Sequence, residues 1–236
     1  MSEEVLKIWE KIQDKVLEHL KDTDFLCLVA HGSFAEGINN KNSDFDILVL
    51  CRGDIKERTE VIVVNDLEVD LDFLSEETLK TQLESLDDLL MPGLMPPFAS
   101  RLKHAVILID KGNVAQSIID MAGKYQPSGE LMDWYSRRIL GYYYDAVGAM
   151  ASGNYATSIH TARIGASHAL TGILLKQGEL YTNKKWLCEL MKRVPAPQEL
   201  FLRLMGLDAA DKEQALQCIR DFNNLISEFE RTKEQK

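Results

Sequence analysis

Apolar residues recur at helical spacing over residues 3–20, at Val5, Ile8, Trp9, Ile12, Val16 and Leu20. The chain therefore opens with an amphipathic helix that offers one face to a core. The period then changes. Residues 25–30 (FLCLVA) form a continuous apolar run of strand length, as expected of a strand covered on both faces. Residues 45–51 (FDILVLC) are a second such run, and 60–64 and 67–74 supply two more strands, joined by a hairpin turn at Asn65-Asp66. Ser75 is placed to cap a helix reaching residue 90, with Glu76 and Glu77 in the first turn, where the helix dipole favours acids.

The Pro-rich stretch MPGLMPPF (91–98) interrupts the pattern. One more strand is expected over 104–109 (HAVILI) and a connecting helix over 112–124. From Ser128 onward only helical periods follow, over 128–152, 155–177, 182–193, 197–206 and 209–232. The expected fold class is α+β: a mixed sheet with flanking helices, then an all-α helical bundle. The change of character falls between residues 110 and 127, which predicts domains of 1–120 and 121–236.

Composition narrows the function classes. Of 236 residues, 45% are hydrophobic and 27% charged, values of an ordinary globular protein. No apolar run approaches the ~20 residues of a membrane span, so no membrane partner is expected. The amphipathic, acidic N-terminus has the character of neither a signal nor a transit peptide, and a cytoplasmic location is the expectation. Cys27, Cys51, Cys188 and Cys218 lie far apart in apolar surroundings without a CxxC, and read as reduced thiols rather than zinc ligands. The net charge is −10 and the basic residues are scattered, so long nucleic acid is not an expected partner. An acidic surface suits a small cationic substrate instead.

Candidate chemistry enters with AHGSFAEGINNKNSDFDILVL (30–50). Along a strand, residues i and i+2 share a face. Asp44 and Asp46 therefore point together, and Asp70 and Asp72 make a second in-phase pair. On neighbouring strands these acids would converge. Two like charges about 4 Å apart repel by roughly 4 kcal/mol at an effective dielectric of about 20, so such a cluster calls for protons or a cation. Oxygen-only ligands select a hard cation, and Mg²⁺ is the usual one beside phosphates. Alone, Asp44 and Asp46 also read as a solvated strand entrance or a turn cap. A calcium loop is disfavoured by Phe45, Ile47 and Leu48. Gly32-Ser33 reads either as a tight turn or as a phosphate contact, with glycine letting backbone approach and the Ser33 hydroxyl hydrogen-bonding an oxygen.

Taken together, Gly32-Ser33, ten further residues and Asp44-Phe45-Asp46-Ile47 resemble the signature of the nucleotidyltransferase superfamily related to DNA polymerase β. Within it the chain is similar to the kanamycin (aminoglycoside) nucleotidyltransferases. Glu68–Glu77 (EVDLDFLSEE) resembles their third-carboxylate strand, and DAVGAM (145–150) and residues 170–194 resemble their helical domain.

The resemblance implies transfer of a nucleoside monophosphate from a triphosphate, with ATP as the first candidate, to a hydroxyl of an aminoglycoside-like small molecule, with pyrophosphate leaving. It implies Asp44, Asp46 and Asp70 as ligands of two Mg²⁺ ions, Gly32, Ser33, Ser43 and Lys185 as nucleotide-binding residues, and Asp145 as general base. It also suggests a homodimer. Three departures matter. Asp145 stands where that group has Glu, Ala149 where it has a phosphate-directed Lys, and Phe34-Ala35-Glu36 where many relatives have Arg. Lys184 and Lys185 are candidates for the missing positive charge, or else solvated lysines at a helix end. The departures keep open a second reading, an antitoxin-like or regulatory protein that binds or modifies a protein or RNA.

Overall fold

The computed structural model describes residues 2–91, 97–208 and 211–214. Helix α1 (Ser2–His19) buries Val5, Trp9, Ile12 and Val16, the stripe expected from its period. It is followed by β1 (Phe25–Ala30), the one-turn helix α2 (Gly32–Glu36), β2 (Phe45–Cys51), β3 (Arg58–Val64) and β4 (Leu67–Ser75). Asn65 and Asp66 both take positive φ, 51° and 64°, which closes the β3–β4 hairpin in a tight turn.

The expected helix over 75–90 is two helices, α3 (Glu76–Glu84) and α4 (Leu86–Leu90). They part at Ser85, whose hydroxyl donates back to the Thr81 carbonyl at 2.7 Å and competes with the helical ladder. At the α3 start, Ser75 Oγ accepts from the Thr78 N–H at 3.0 Å, as its position predicted. Strand β5 (Val106–Asp110) leads into α5 (Val114–Lys124), and the Asp110 carboxylate accepts from the N–H groups of Val114 and Ala115.

The sheet order is β3-β4-β2-β1-β5. β1 pairs antiparallel with β2 and with β5, β3 antiparallel with β4, and β2 parallel with β4. The sheet is therefore mixed, as expected. The apolar strands are covered on both faces. Phe45, Ile47, Val49, Val69, Leu71 and Phe73 pack toward α1. Leu48, Leu50 and Leu74 point the other way, under Leu79, Leu86, Ala115 and Ile118 of α3–α5. Each fully buried Leu, Ile or Phe here contributes about 1.5–3 kcal/mol.

The helical part continues with α6 (Gly129–Ala151), α7 (Tyr155–Lys176), α8 (Leu187–Leu190) and α9 (Gln198–Met205). Leu131, Tyr135 and Leu175 join the same core as α3–α5 under the sheet, so this part begins packed against the first. Farther along, α6 and α7 lie against each other, with Gly165 so close to Tyr142 that an added Cβ would sit 2.9 Å from the tyrosine Cβ. Leu140, Tyr143, Tyr144 and Val147 leave an exposed apolar stripe on α6. The helix expected over 182–193 is broken into a 3-10 turn (Lys184–Trp186), α8 and a second 3-10 turn (Met191–Arg193). Cys27 and Cys51 are buried free thiols. The expected helix over 209–232, with Cys218, lies outside the described residues apart from 211–214. Among the described residues no helix is long and apolar enough to cross a membrane.

Candidate active site

Parallel pairing of β2 with β4 puts Asp46 directly opposite Asp70. Asp44 precedes β2 by one residue. One oxygen from each of Asp44, Asp46 and Asp70 lies within 4.8 Å of the other two. Asp46, Asp70 and Asp72 share the sheet face whose later positions, Leu48, Leu50 and Leu74, go under the helices. The acids thus occupy the strand-start end of that face.

The Gly32 turn is locked to this cluster. Gly32 has φ +69°, a left-handed conformation that favours glycine, and a Cβ there would come within 2.7 Å of Asp46 Cγ. Asp46 packs where the missing side chain would be. Its backbone carbonyl also accepts from the His31 N–H at 3.0 Å, tying the end of β1 to the start of β2. Ser33 follows at the start of α2, buried.

The electrostatics are those of crowded acids. Burial pushes the Asp70 carboxyl up to about 6, with further repulsion from Asp44, Asp46, Asp72 and Glu68. Asp46 is also raised, by burial first, with His31 opposing and Asp44 adding. Asp72 goes the other way: burial pushes it up, but His31 and the Thr59 hydroxyl outweigh that. Thr59 Oγ1 donates to Asp72 at 2.6 Å. His31 Nε2 lies 3.3 Å from Asp72 Oδ2, without the alignment of a hydrogen bond from either ring nitrogen. Asp72 is therefore engaged from inside, while Asp70 Oδ1 is buried without a hydrogen-bond partner.

A cavity of about 400 Å³ opens over the cluster, lined by the acids Asp46, Asp70 and Asp72 with Gly32, Ser33 and Thr59, and also by Phe98, Arg101, Tyr181, Asn183 and Lys185. A second, of about 380 Å³, lies beside it, lined by Asn40, Asn42, Ser43, Asp44, Glu68, Lys185 and Trp186. Lys185 borders both. Of the residues singled out from sequence, Gly32, Ser33, Ser43, Asp44, Asp46, Asp70 and Lys185 come together around these two cavities. Lys184 is exposed and lines neither. Asp145 is exposed on α6 and lines neither.

Wall residues that escaped sequence reasoning include Phe98, Arg101 and Tyr181. Phe98 ends the Pro-rich break and Arg101 follows it, and Tyr181 precedes the 3-10 turn, none in a recognisable spacing to the acids. The weak signal was composition: an Arg and a Phe in a loop that returns to the sheet. Burial, followed by the charge of Asp46, pushes the Tyr181 phenol up to about 12, so its hydroxyl stays protonated and can donate.

An all-oxygen cluster beside a glycine turn suits a hard divalent cation and a phosphorylated ligand. Residues 7–93 match the family model described as a nucleotidyltransferase domain. That stretch runs from α1 through α4 and contains Gly32, Ser33, Ser43, Asp44, Asp46 and Asp70. Over that stretch the mixed sheet with its flanking helices is consistent with the α+β nucleotidyltransferase fold. Among solved structures, the chain is similar to a nucleotidyltransferase-like protein from Exiguobacterium sibiricum 255-15. Identity is 13%, with 85% of this chain and 73% of that one covered, and the TM-score is 0.46, too distant to bear on activity. No curated protein matches the chain.

Proposed function

We propose that this chain is a Mg²⁺-dependent nucleotidyltransferase that moves a nucleoside monophosphate from a triphosphate, with ATP as the first candidate, to a hydroxyl of a small aminoglycoside-like molecule. One observation carries the reading: Asp46 stands opposite Asp70 in register, with Asp44 within 4.8 Å of both, over the Gly32–Ser33 turn. The kanamycin-type resemblance and the net charge of −10 support a cationic acceptor.

The residues fit a divalent metal. Asp70 Oδ1 is buried and unpartnered, and its carboxyl is held near 6 by burial and neighbouring acids, the marks of a cluster short of positive charge. Asp44, Asp46 and Asp70 would hold the metal, and the resemblance implies two ions. When bound, it supplies charge that offsets the phosphates and the developing negative charge of the reaction. The Ser33 hydroxyl and the backbone at Gly32 would hydrogen-bond the phosphates, with Ser43 and Lys185 at the cavity walls. Tyr181, protonated, would donate from the wall of the same cavity. Asp145 is the proposed base for the acceptor proton. The acceptor oxygen then bonds the α-phosphorus, and the bond to pyrophosphate breaks. Positioning of the two reactants is the chain's main contribution.

The test is incubation with α-labelled ATP and Mg²⁺ against a panel of aminoglycosides and other polyhydroxylated acceptors, read as labelled product. Asp46→Asn should reduce transfer by at least about 100-fold. Equal transfer by that variant, or no transfer to any acceptor by the unaltered chain, counts against the reading.

A further inference from the structure

We infer that Arg101 is the residue that grips the triphosphate, and that it takes the place of a basic residue in the Gly32–Ser33 turn. The inference rests on the nucleotidyltransferase reading. It starts from a shortage of positive charge. Phe34 and Ala35 are buried and apolar, and Glu36 turns inward to Arg193. Lys184 is exposed and outside both cavities, and Lys185, though on their rim, is an exposed flexible chain.

Arg101 differs from these. It closes the 3-10 turn Phe98–Arg101, which brings it onto the wall of the same cavity that Gly32, Ser33 and Asp46 line. Its guanidinium carbon lies 4.8 Å from the centre of the Phe98 ring, so the planar group is held by stacking rather than by an acid. Phe98 is itself fixed edge-on to buried His31, 6.1 Å between ring centres. Among the described residues no carboxylate comes within 4.0 Å of Arg101 to form an ion pair. Its charge still reaches the site, where it lowers Asp46 and Asp72.

A half-buried guanidinium with no ion-pair partner is unfavourable by itself. Five N–H donors in a planar fork match two phosphate oxygens at once. The arrangement separates two tasks. The carboxylates at β2 and β4 take the cation, and Arg101 on the wall of the same cavity takes phosphate oxygens that the cation leaves uncovered. If Arg101 served only to balance the acids, its loss would tighten cation binding and leave phosphate binding alone. If it grips phosphate, its loss weakens phosphate binding and spares the cation site.

Calorimetric titration of the full chain with inorganic tripolyphosphate plus Mg²⁺ separates these, because the probe carries no base or sugar. Arg101→Ala should weaken tripolyphosphate binding by about tenfold or more, and Arg101→Lys by about threefold, since a lysine keeps charge but loses the fork. Mn²⁺ titration without phosphate should give an affinity equal to or tighter than that of the unaltered chain. Unchanged tripolyphosphate binding in Arg101→Ala overturns the inference. So does a parallel loss of Mn²⁺ affinity in Arg101→Lys, which would mark a structural role. If Arg101→Ala fails to fold, Arg101→Lys and Arg101→Gln decide by the same comparison. Failure of the unaltered chain to bind tripolyphosphate or ATP with Mg²⁺ overturns the nucleotidyltransferase reading first and is distinguishable from the other outcomes.

Discussion

Arg193 Nη1 stands 2.5 Å from Glu36 Oε2, a contact made across 157 residues of chain. Its second nitrogen donates to the Glu36 backbone carbonyl. Glu36 is the last residue of α2, whose first residues are Gly32 and Ser33, and it is 1% exposed. Arg193 also reaches Glu179 at 3.5 Å, and Glu179 lies 3.7 Å from His104. The second 3-10 turn of the helical part is thereby clamped to the element that carries the proposed phosphate contacts. Burial raises the Glu36 carboxyl even though Arg193 pulls it down, so the pair is needed to keep a charge there.

Removing Arg193 strands that carboxylate. Arg193→Ala should destabilise the chain by about 2 kcal/mol, less than for a fully enclosed pair because the arginine side chain is 27% exposed. Glu36→Gln should cost less, since it leaves no buried charge. Urea unfolding of both variants checks the order. In turnover, Arg193→Ala should raise KM for the triphosphate with kcat little changed, as expected when a ground-state contact is loosened.

Gly32→Ala puts a methyl group where the Asp46 carboxylate packs, in a backbone conformation that costs an L-residue about 1–2 kcal/mol. The expected variant is folded, melts lower, and has Asp46 displaced from Asp44 and Asp70. Circular dichroism should report native secondary structure while Mn²⁺ affinity falls by at least tenfold, a loss of about 1.4 kcal/mol. Native metal affinity would mean that Asp46 does not depend on the turn.

Asp70 makes stability fall with rising pH. Its folded value of about 6 lies above the ordinary aspartate value of 3.8, so between these the folded state binds more proton than the unfolded one. Stability is highest below the lower value, declines across the window, and levels off above about 6. Asp70→Asn should remove that decline and, without metal, raise stability at neutral pH by about 1 kcal/mol after allowance for solvent screening. Thermal melts from pH 4 to 8 in chelator test the sign. Adding Mg²⁺ should stabilise the unaltered chain above pH 6 and the variant much less.

Asp145 is a separate question, because it is exposed on α6 away from the acid cluster. As a base it should matter to kcat alone: Asp145→Asn should lower kcat by about 100-fold, with stability within about 0.5 kcal/mol of the unaltered chain and metal binding unchanged. Unaltered kcat would end its proposed role.

The legible parts of the fold were those with a local period. Strands over 25–30 and 45–51 fall where continuous apolar runs put them, and the hairpin forms at Asn65-Asp66 because both residues accept positive φ. The carboxylate meeting was legible only as a condition. In-phase spacing puts Asp70 and Asp72 on one face, but nothing local says that β2 pairs parallel with β4 while β3 is sent to the edge. Helix interruptions were missed where one side chain decides them, as at Ser85, or where an apolar period persists through 3-10 turns, as over 184–193. Arg101 and the Glu36–Arg193 pair were not legible because they are made by distant segments meeting. Glu36 looked like a departure from a basic pattern. Its reason is a partner far along the chain.

Binding of Mn²⁺ as a paramagnetic stand-in for Mg²⁺, followed by electron paramagnetic resonance in the presence of a non-hydrolysable ATP analogue, tests the carboxylate cluster most directly. The unaltered chain should take up the ion, and Asp46→Asn and Asp70→Asn should each lose at least tenfold in affinity, about 1.4 kcal/mol, while Asp72→Asn, whose carboxylate is engaged by Thr59 and His31, should lose less. Equal Mn²⁺ affinity in the unaltered chain and in Asp46→Asn would contradict a metal held between β2 and β4.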